Sequence, residues 1–109
     1  MSKNYIDNAL NVIQYLLDHP NYWMSDEEIY SVSPRYGKKI IDNLIEAEVL
    51  ISTKDGLLFD INDVYALNSY LSELSDELEN IKKSEQAELL NKIGAITNII
   101  APLLKIYKT

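Results

Sequence analysis

The chain has no cysteine, a single histidine, one tryptophan, one phenylalanine, and only three glycines and three prolines in 109 residues. Each shortage removes a class of protein. Without cysteine there is no disulfide, no thiolate metal centre and no cysteine nucleophile, which fits an intracellular protein. The lone His19 precedes Pro20 and has no second imidazole to share a metal or relay a proton, so it reads as a polar residue at a helix end. No glycine-rich loop cradles phosphate anywhere. The chain is expected to be no enzyme and to carry no cofactor and no metal.

Positive charge is also scarce. Ten Lys and Arg stand against 17 Asp and Glu, a net charge of −7, and a field of that sign repels nucleic acid and draws basic partners. Long apolar runs are missing too. The stretch Ile93 to Tyr107 is interrupted by Thr97, Asn98 and Lys105 and falls short of the roughly 20 apolar residues of a spanning helix. The opening Met1-Ser2-Lys3-Asn4-Tyr5 leads into an amphipathic pattern and not into a secretory leader. No membrane association and a cytoplasmic location are the expectations.

What remains is ordinary globular material, 47% hydrophobic and 25% charged. Ile6, Ala9, Leu10, Ile13, Leu16 and Leu17 recur on one helical face, and Pro20 ends that first helix at His19. Tyr22, Trp23 and Tyr30, beside Tyr15, read as aromatics closing a small core. Ser25-Asp26-Glu27-Glu28 is a capping box whose carboxylates suit a first helical turn, and it starts a short second helix with Ile29 and Val32 inward. Ser33-Pro34 repeats a start signal, predicting a third helix from about Pro34 to Ala47 with Ile41, Leu44 and Ile45 as its core face. Val49 to Ser52 and Leu57 to Ile61 are β-favouring runs around Thr53-Lys54-Asp55-Gly56, a hairpin signal.

From Asn62, read as a cap, Val64, Leu67, Leu71, Leu74, Leu78 and Ile81 alternate spacings of three and four, the seam of a coiled coil. Leu89, Ile93, Ile96, Ile100 and Leu103 form a second run out of register with the first. Either one long helix carries a stutter over 82–88 or the chain turns there into a helical hairpin; Ser84-Glu85 favours the turn. Pro102 is expected to kink the last segment.

Residues 5 to 61 resemble the winged helix-turn-helix superfamily of small bacterial, archaeal and phage regulators, most closely from Ser25-Asp26-Glu27-Glu28-Ile29 to Leu44-Ile45-Glu46-Ala47-Glu48-Val49-Leu50-Ile51. The fold class expected is therefore mainly α with a small β-hairpin: a winged helix domain over 1–61, then one long or two shorter C-terminal helices over 62–109 forming a coiled-coil-like dimerisation segment. The eleven seam residues of 62–109 named above are the expected homodimer contacts. The resemblance implies a homodimeric DNA-binding transcription regulator, with the third helix in the major groove and the wing on the backbone. Arg35, Tyr36, Lys38, Lys39 and Asn43 on that helix, with Lys54 at the hairpin tip, are then the DNA-binding residues.

The chain departs from the pattern twice. Glu48 stands where the superfamily usually has glycine, in a left-handed helix exit. Residues 1–61 also hold only Lys3, Arg35, Lys38, Lys39 and Lys54 against Asp7, Asp18, Asp26, Glu27, Glu28, Asp42, Glu46, Glu48, Asp55 and Asp60, an unusual balance for a protein whose affinity rests on neutralising phosphate. A second reading follows: an acidic protein-interaction module, such as a phage or plasmid-type inhibitor or DNA mimic, that uses the same scaffold to occupy a host protein.

Overall fold

The computed structural model describes residues 2–107; Met1, Lys108 and Thr109 lie outside the described residues, as do therefore the ends of the two expected segments. Helix α1 spans Lys3–Asp18 and is capped by the Ser2 side chain, which accepts from the Tyr5 amide. Its inner face is Tyr5, Ile6, Ala9, Leu10, Val12, Ile13 and Leu16, all buried. It stops where the sequence predicts, with His19 at its C-cap.

Helix α2 (Asp26–Val32) opens on the expected capping box, with Ser25 and Glu28 each satisfying the other's backbone amide. Helix α3 runs over Gly37–Glu46 and starts three residues later than predicted. Ser33 is the C-cap of α2, not the N-cap of α3, and its carbonyl accepts from the Gly37 amide at 2.8 Å across the intervening Pro34-Arg35-Tyr36 turn. Glycine is needed at 37 because a Cβ there would stand 2.7 Å from Tyr30 Cδ1, so α2 and α3 approach closely. Ile40, which periodicity did not single out, is buried with Ile41 and Leu44, while Ile45 is only half-buried.

The hairpin forms from β1 (Ile51–Thr53) and β2 (Gly56–Leu58), antiparallel with Ile51 opposite Leu58 and Thr53 opposite Gly56. Gly56 takes φ 123°, and a Cβ there would lie 2.5 Å from the Met24 carbonyl oxygen. That close approach reflects a third short element: Met24 pairs with Leu57 as an isolated antiparallel bridge, through mutual amide–carbonyl bonds of 2.8 Å. The connector thus sends Met24 into the core, whereas Tyr22 and Trp23 stay exposed at 52% and 44%. The expectation that these two aromatics close the core is corrected; their neighbour occupies the inward position of the bridge.

Asp60, not Asn62, caps the next element, a 3-10 turn over Ile61–Asp63 that feeds helix α4 (Val64–Asp76). A second 3-10 turn, Glu77–Asn80, and an extended Ile81 then reverse the chain into helix α5 (Lys83–Ile106). The break over 82–88 is therefore a turn, placed at Ile81 and Lys82. Helices α4 and α5 lie antiparallel, since Tyr65 near the start of α4 donates to the Leu104 carbonyl near the end of α5, at 2.7 Å. Gln86 secures the reversal by donating to the carbonyls of Leu78 and Ile81 at 2.8 and 2.7 Å. Helix α5 continues through Pro102.

The seam residues find their partner inside the subunit. Val64, Leu67, Leu71, Leu74, Leu78, Ile81, Leu89, Ile93, Ile96 and Ile100 are all buried, and Leu103 is partly so, in one continuous cluster with the α1, α2, α3 and hairpin core. Helix α1 packs against α2, α3 and α5, and α5 packs against α4. The eleven side chains expected to join two copies thus close the fold of one. Their spacing selects a helix as the covering partner, and the turn at Ile81 supplies that helix within the chain. Among the described residues α5 is the one helix long and apolar enough by length and composition to cross a membrane, where the interrupted Ile93 to Tyr107 run is expected to fall short; in the fold it lays one apolar side on α1 and α4.

Candidate nucleic-acid interface

Helix α3 turns Ile40, Ile41 and Leu44 inward, and the same 3.6-residue period turns Lys38, Lys39, Asp42 and Glu46 outward. Arg35 and Tyr36 enter from the turn that precedes it. Arg35, Lys38 and Lys39 are exposed and make no ion pair among the described residues. Other lysines are neutralised: Lys3 pairs with Glu88 at 3.4 Å, and Lys92 reaches Asp7 at 2.5 Å and the Asn11 side-chain oxygen at 3.2 Å.

Tyr5 of α1 organises the patch. Its ring meets Tyr36 edge-on at 5.7 Å and 86°, and the Lys39 ammonium sits 5.2 Å from its centroid. The Arg35 guanidinium lies 5.3 Å from the Tyr36 centroid. Such cation–aromatic contacts hold long side chains without neutralising them. The Tyr5 hydroxyl accepts a short hydrogen bond from Asn43 Nδ2 and lies 3.4 Å from the Tyr70 hydroxyl of α4. Burial, and then the contact with Tyr5, push the Tyr70 hydroxyl far above the ordinary tyrosine range, so it stays protonated and serves as a neutral strut.

Arg35, Tyr36, Lys39 and Asn43 are therefore brought together through Tyr5, and Lys38 shares their helix. Lys54 lies exposed in the hairpin turn, with no hydrogen bond or ion pair to them among the described residues. Asn43 is committed to Tyr5, and so positions the helix. Two features escaped the sequence reading. Tyr5 stands one helical turn before Ala9 on the buried face of α1, which was the available signal. Asp42 and Glu46 share the outward face with the lysines, as their four-residue spacing from Lys38 and from each other implies. Beyond them an open cleft of about 390 Å³ lies between α3 and α4, lined by Asn43, Glu46, Ala47, Tyr70 and Glu73.

On the far side of α1, Tyr15 donates to Glu28 at 2.8 Å and stacks on His19 at 4.2 Å, with His19 Nδ1 2.9 Å from the Tyr15 carbonyl. The hydrogen bond to Glu28, followed by burial, raises the Tyr15 hydroxyl above its ordinary range. Glu28 thus serves both the cap and the α1–α2 contact. Comparison with protein-family models, curated proteins and solved structures finds no match to this chain.

Proposed function

We propose that this chain is a homodimeric DNA-binding transcription regulator of winged-helix architecture, with α3 reading the major groove and the β1–β2 hairpin serving as the wing. The order α1, Met24 bridge, α2, α3, β1, β2 supports the winged-helix reading. The observation that carries the function is that Arg35 in the turn before α3 and Lys38 and Lys39 in its first turn have no ion pair among the described residues, while Lys3 and Lys92 are paired elsewhere. Residues near the start of a recognition helix are those that meet base edges and phosphates. A cytoplasmic location accompanies this reading, which the packing of α5 against α1 and α4 supports.

Electrophoretic retardation of synthetic and genomic fragments at low salt tests it. Retardation that Lys38→Glu with Lys39→Glu abolishes is the expected result. No retardation of any fragment, or retardation indifferent to both substitutions, refutes it. Asp42 and Glu46 on the outward face favour a second reading, an acidic module that occupies a basic host protein; carboxylate-to-amide substitution there would weaken that partner and strengthen DNA binding.

A further inference from the structure

The outer side of α5 is covered by no other element among the described residues. Ala87, Leu90, Gly94, Thr97 and Ala101 are exposed, Leu90 by 50%, and Leu104 is half-buried. These six residues follow one another at alternating spacings of three and four, so they form a second stripe beside the buried one. At 1.5 Å rise per residue the stripe is about 26 Å long. A Cβ at Gly94 would meet nothing within 4 Å, which leaves the middle of the stripe open to another backbone.

The stripe is complementary to itself when reversed. A two-fold axis passing between Ala95 and Ile96 sets Ala87 against Leu104, Leu90 against Ala101 and Gly94 against Thr97, so that each larger side chain meets a smaller one. The same operation brings Asn91 of one helix and Asn98 of the other to the same rim, where amides can exchange hydrogen bonds. Charge selects the occupant. All 17 side-chain carboxylates of the chain lie at or before Glu88, and Lys92 is taken up by Asp7. Between Glu88 and Lys105 the outer side of α5 therefore has no free charge. Two copies of a chain of net charge −7 repel through their acidic faces, and here they meet through matched neutral ones.

We propose that a second copy of this chain docks antiparallel on the Ala87–Leu104 stripe, forming a two-fold dimer in which α5 crosses its own image between Gly94 and Thr97. This deepens the preceding reading by naming the surface that joins the copies, and its test needs no nucleic acid. One helix pair of this length covers less than the roughly 800 Å² per partner of a standard interface, so the dimer dissociates on dilution. Such closed isologous pairing stops at two subunits.

Sedimentation velocity of the full chain over a concentration series tests the proposal. The mass should move from 12.5 kDa towards twice that value as concentration rises. Gly94→Arg and, separately, Leu90→Arg should hold the chain at the single mass with an unchanged circular dichroism spectrum, and Gly94→Ala should still dimerise. Both arginines point into open solvent in the subunit, and the first replaces glycine by a better helix former, so neither variant threatens folding. A single mass up to the solubility limit, growth beyond two copies, or a dimer that both arginine variants leave intact would overturn it. A dimer that behaves as expected yet retards no DNA would remove the regulator reading and leave the stripe standing.

Discussion

Glu48 holds the left-handed exit of α3, with φ 63°. The exit is a complete Schellman turn: the Glu48 amide donates to the Ile45 carbonyl at 3.0 Å and the Val49 amide to the Leu44 carbonyl at 2.8 Å. The Glu48 side chain is exposed, and its charge is one of the influences that raise the pKa of Asp63, after burial and Asp60. Replacement by glycine therefore keeps both backbone bonds and loses no packing. A Cβ in this conformation costs roughly 1–2 kcal/mol, and the extra freedom of glycine in the unfolded chain takes back roughly 0.4–1 kcal/mol. Glu48→Gly should thus stabilise the protein by about 0.5–1 kcal/mol, a rise in Tm of about 2–8 °C for a domain of this size.

Glu48→Ala separates the contributions, since it removes the carboxylate and keeps the strain. Thermal unfolding followed by circular dichroism, at concentrations low enough to exclude self-association, should rank the glycine variant above the alanine one. The reasoning is refuted if Glu48→Gly melts with or below Glu48→Ala, because relief of the left-handed backbone is the only difference that favours glycine.

Leu74 is fully buried within the subunit, so Leu74→Ala should cost about 2–5 kcal/mol in urea unfolding, equally at low and high protein concentration; a loss confined to high concentration would mean that the seam pairs between chains. Tyr70→Phe removes the hydroxyl facing Tyr5 and should cost about 0.5–1.5 kcal/mol. Because Tyr70 is shifted upward, its contribution is complete below the ordinary tyrosine range and fades as pH rises through the raised value, and spectrophotometric titration should show two tyrosines, Tyr15 and Tyr70, ionising after the exposed ones, with one of the two lost in Tyr70→Phe. Asp63 is also shifted upward, by burial, then Asp60, then Glu48, so its contribution is complete in acid and is lost as pH rises through its raised value. Asp63→Asn should therefore raise Tm at neutral pH, with the gain vanishing in acid; a gain independent of pH would refute the electrostatic cause.

Those parts of the fold written in short-range signals were legible in the sequence. The α1 face, the Ser25–Glu28 capping box and the Asp55-Gly56 hairpin each depend on residues within a few positions of one another, whereas Glu48 in place of the usual glycine left open whether the helix exit is left-handed. What lies further apart was not. A heptad run states that a helix has an apolar stripe and leaves open whether the covering helix belongs to the same chain. The answer lay in Glu77–Asn80 and Ile81, a reversal with no proline or glycine to mark it, held by Gln86 reaching back to Leu78 and Ile81. Trp23 and Tyr22 were misplaced for a related reason: bridge pairing with Leu57 decides which connector residue faces inward, and that pairing spans more than thirty positions.

The candidate interface shows the same division, and it changes how the acidic total bears on function. The cations were legible by type, whereas their support was not, because Tyr5, Asn43 and Tyr70 come from three different helices. Net charge acts only through charges that lie near the ligand, since screening at physiological salt reaches about 8 Å. What matters for DNA is then the order of charge along α3. Arg35 lies in the turn before it, Lys38 and Lys39 in its first turn, and Asp42 and Glu46 in its second half. A phosphate-lined groove would accept the first turn and the preceding Pro34-Arg35-Tyr36 turn and repel the last, so under the proposed function α3 would enter end-on, with its N-terminus leading. In the proposed function that approach would make fewer phosphate contacts than a helix laid along the groove, so affinity per subunit would be low and a second reading head on a partner copy would have a physical reason to exist.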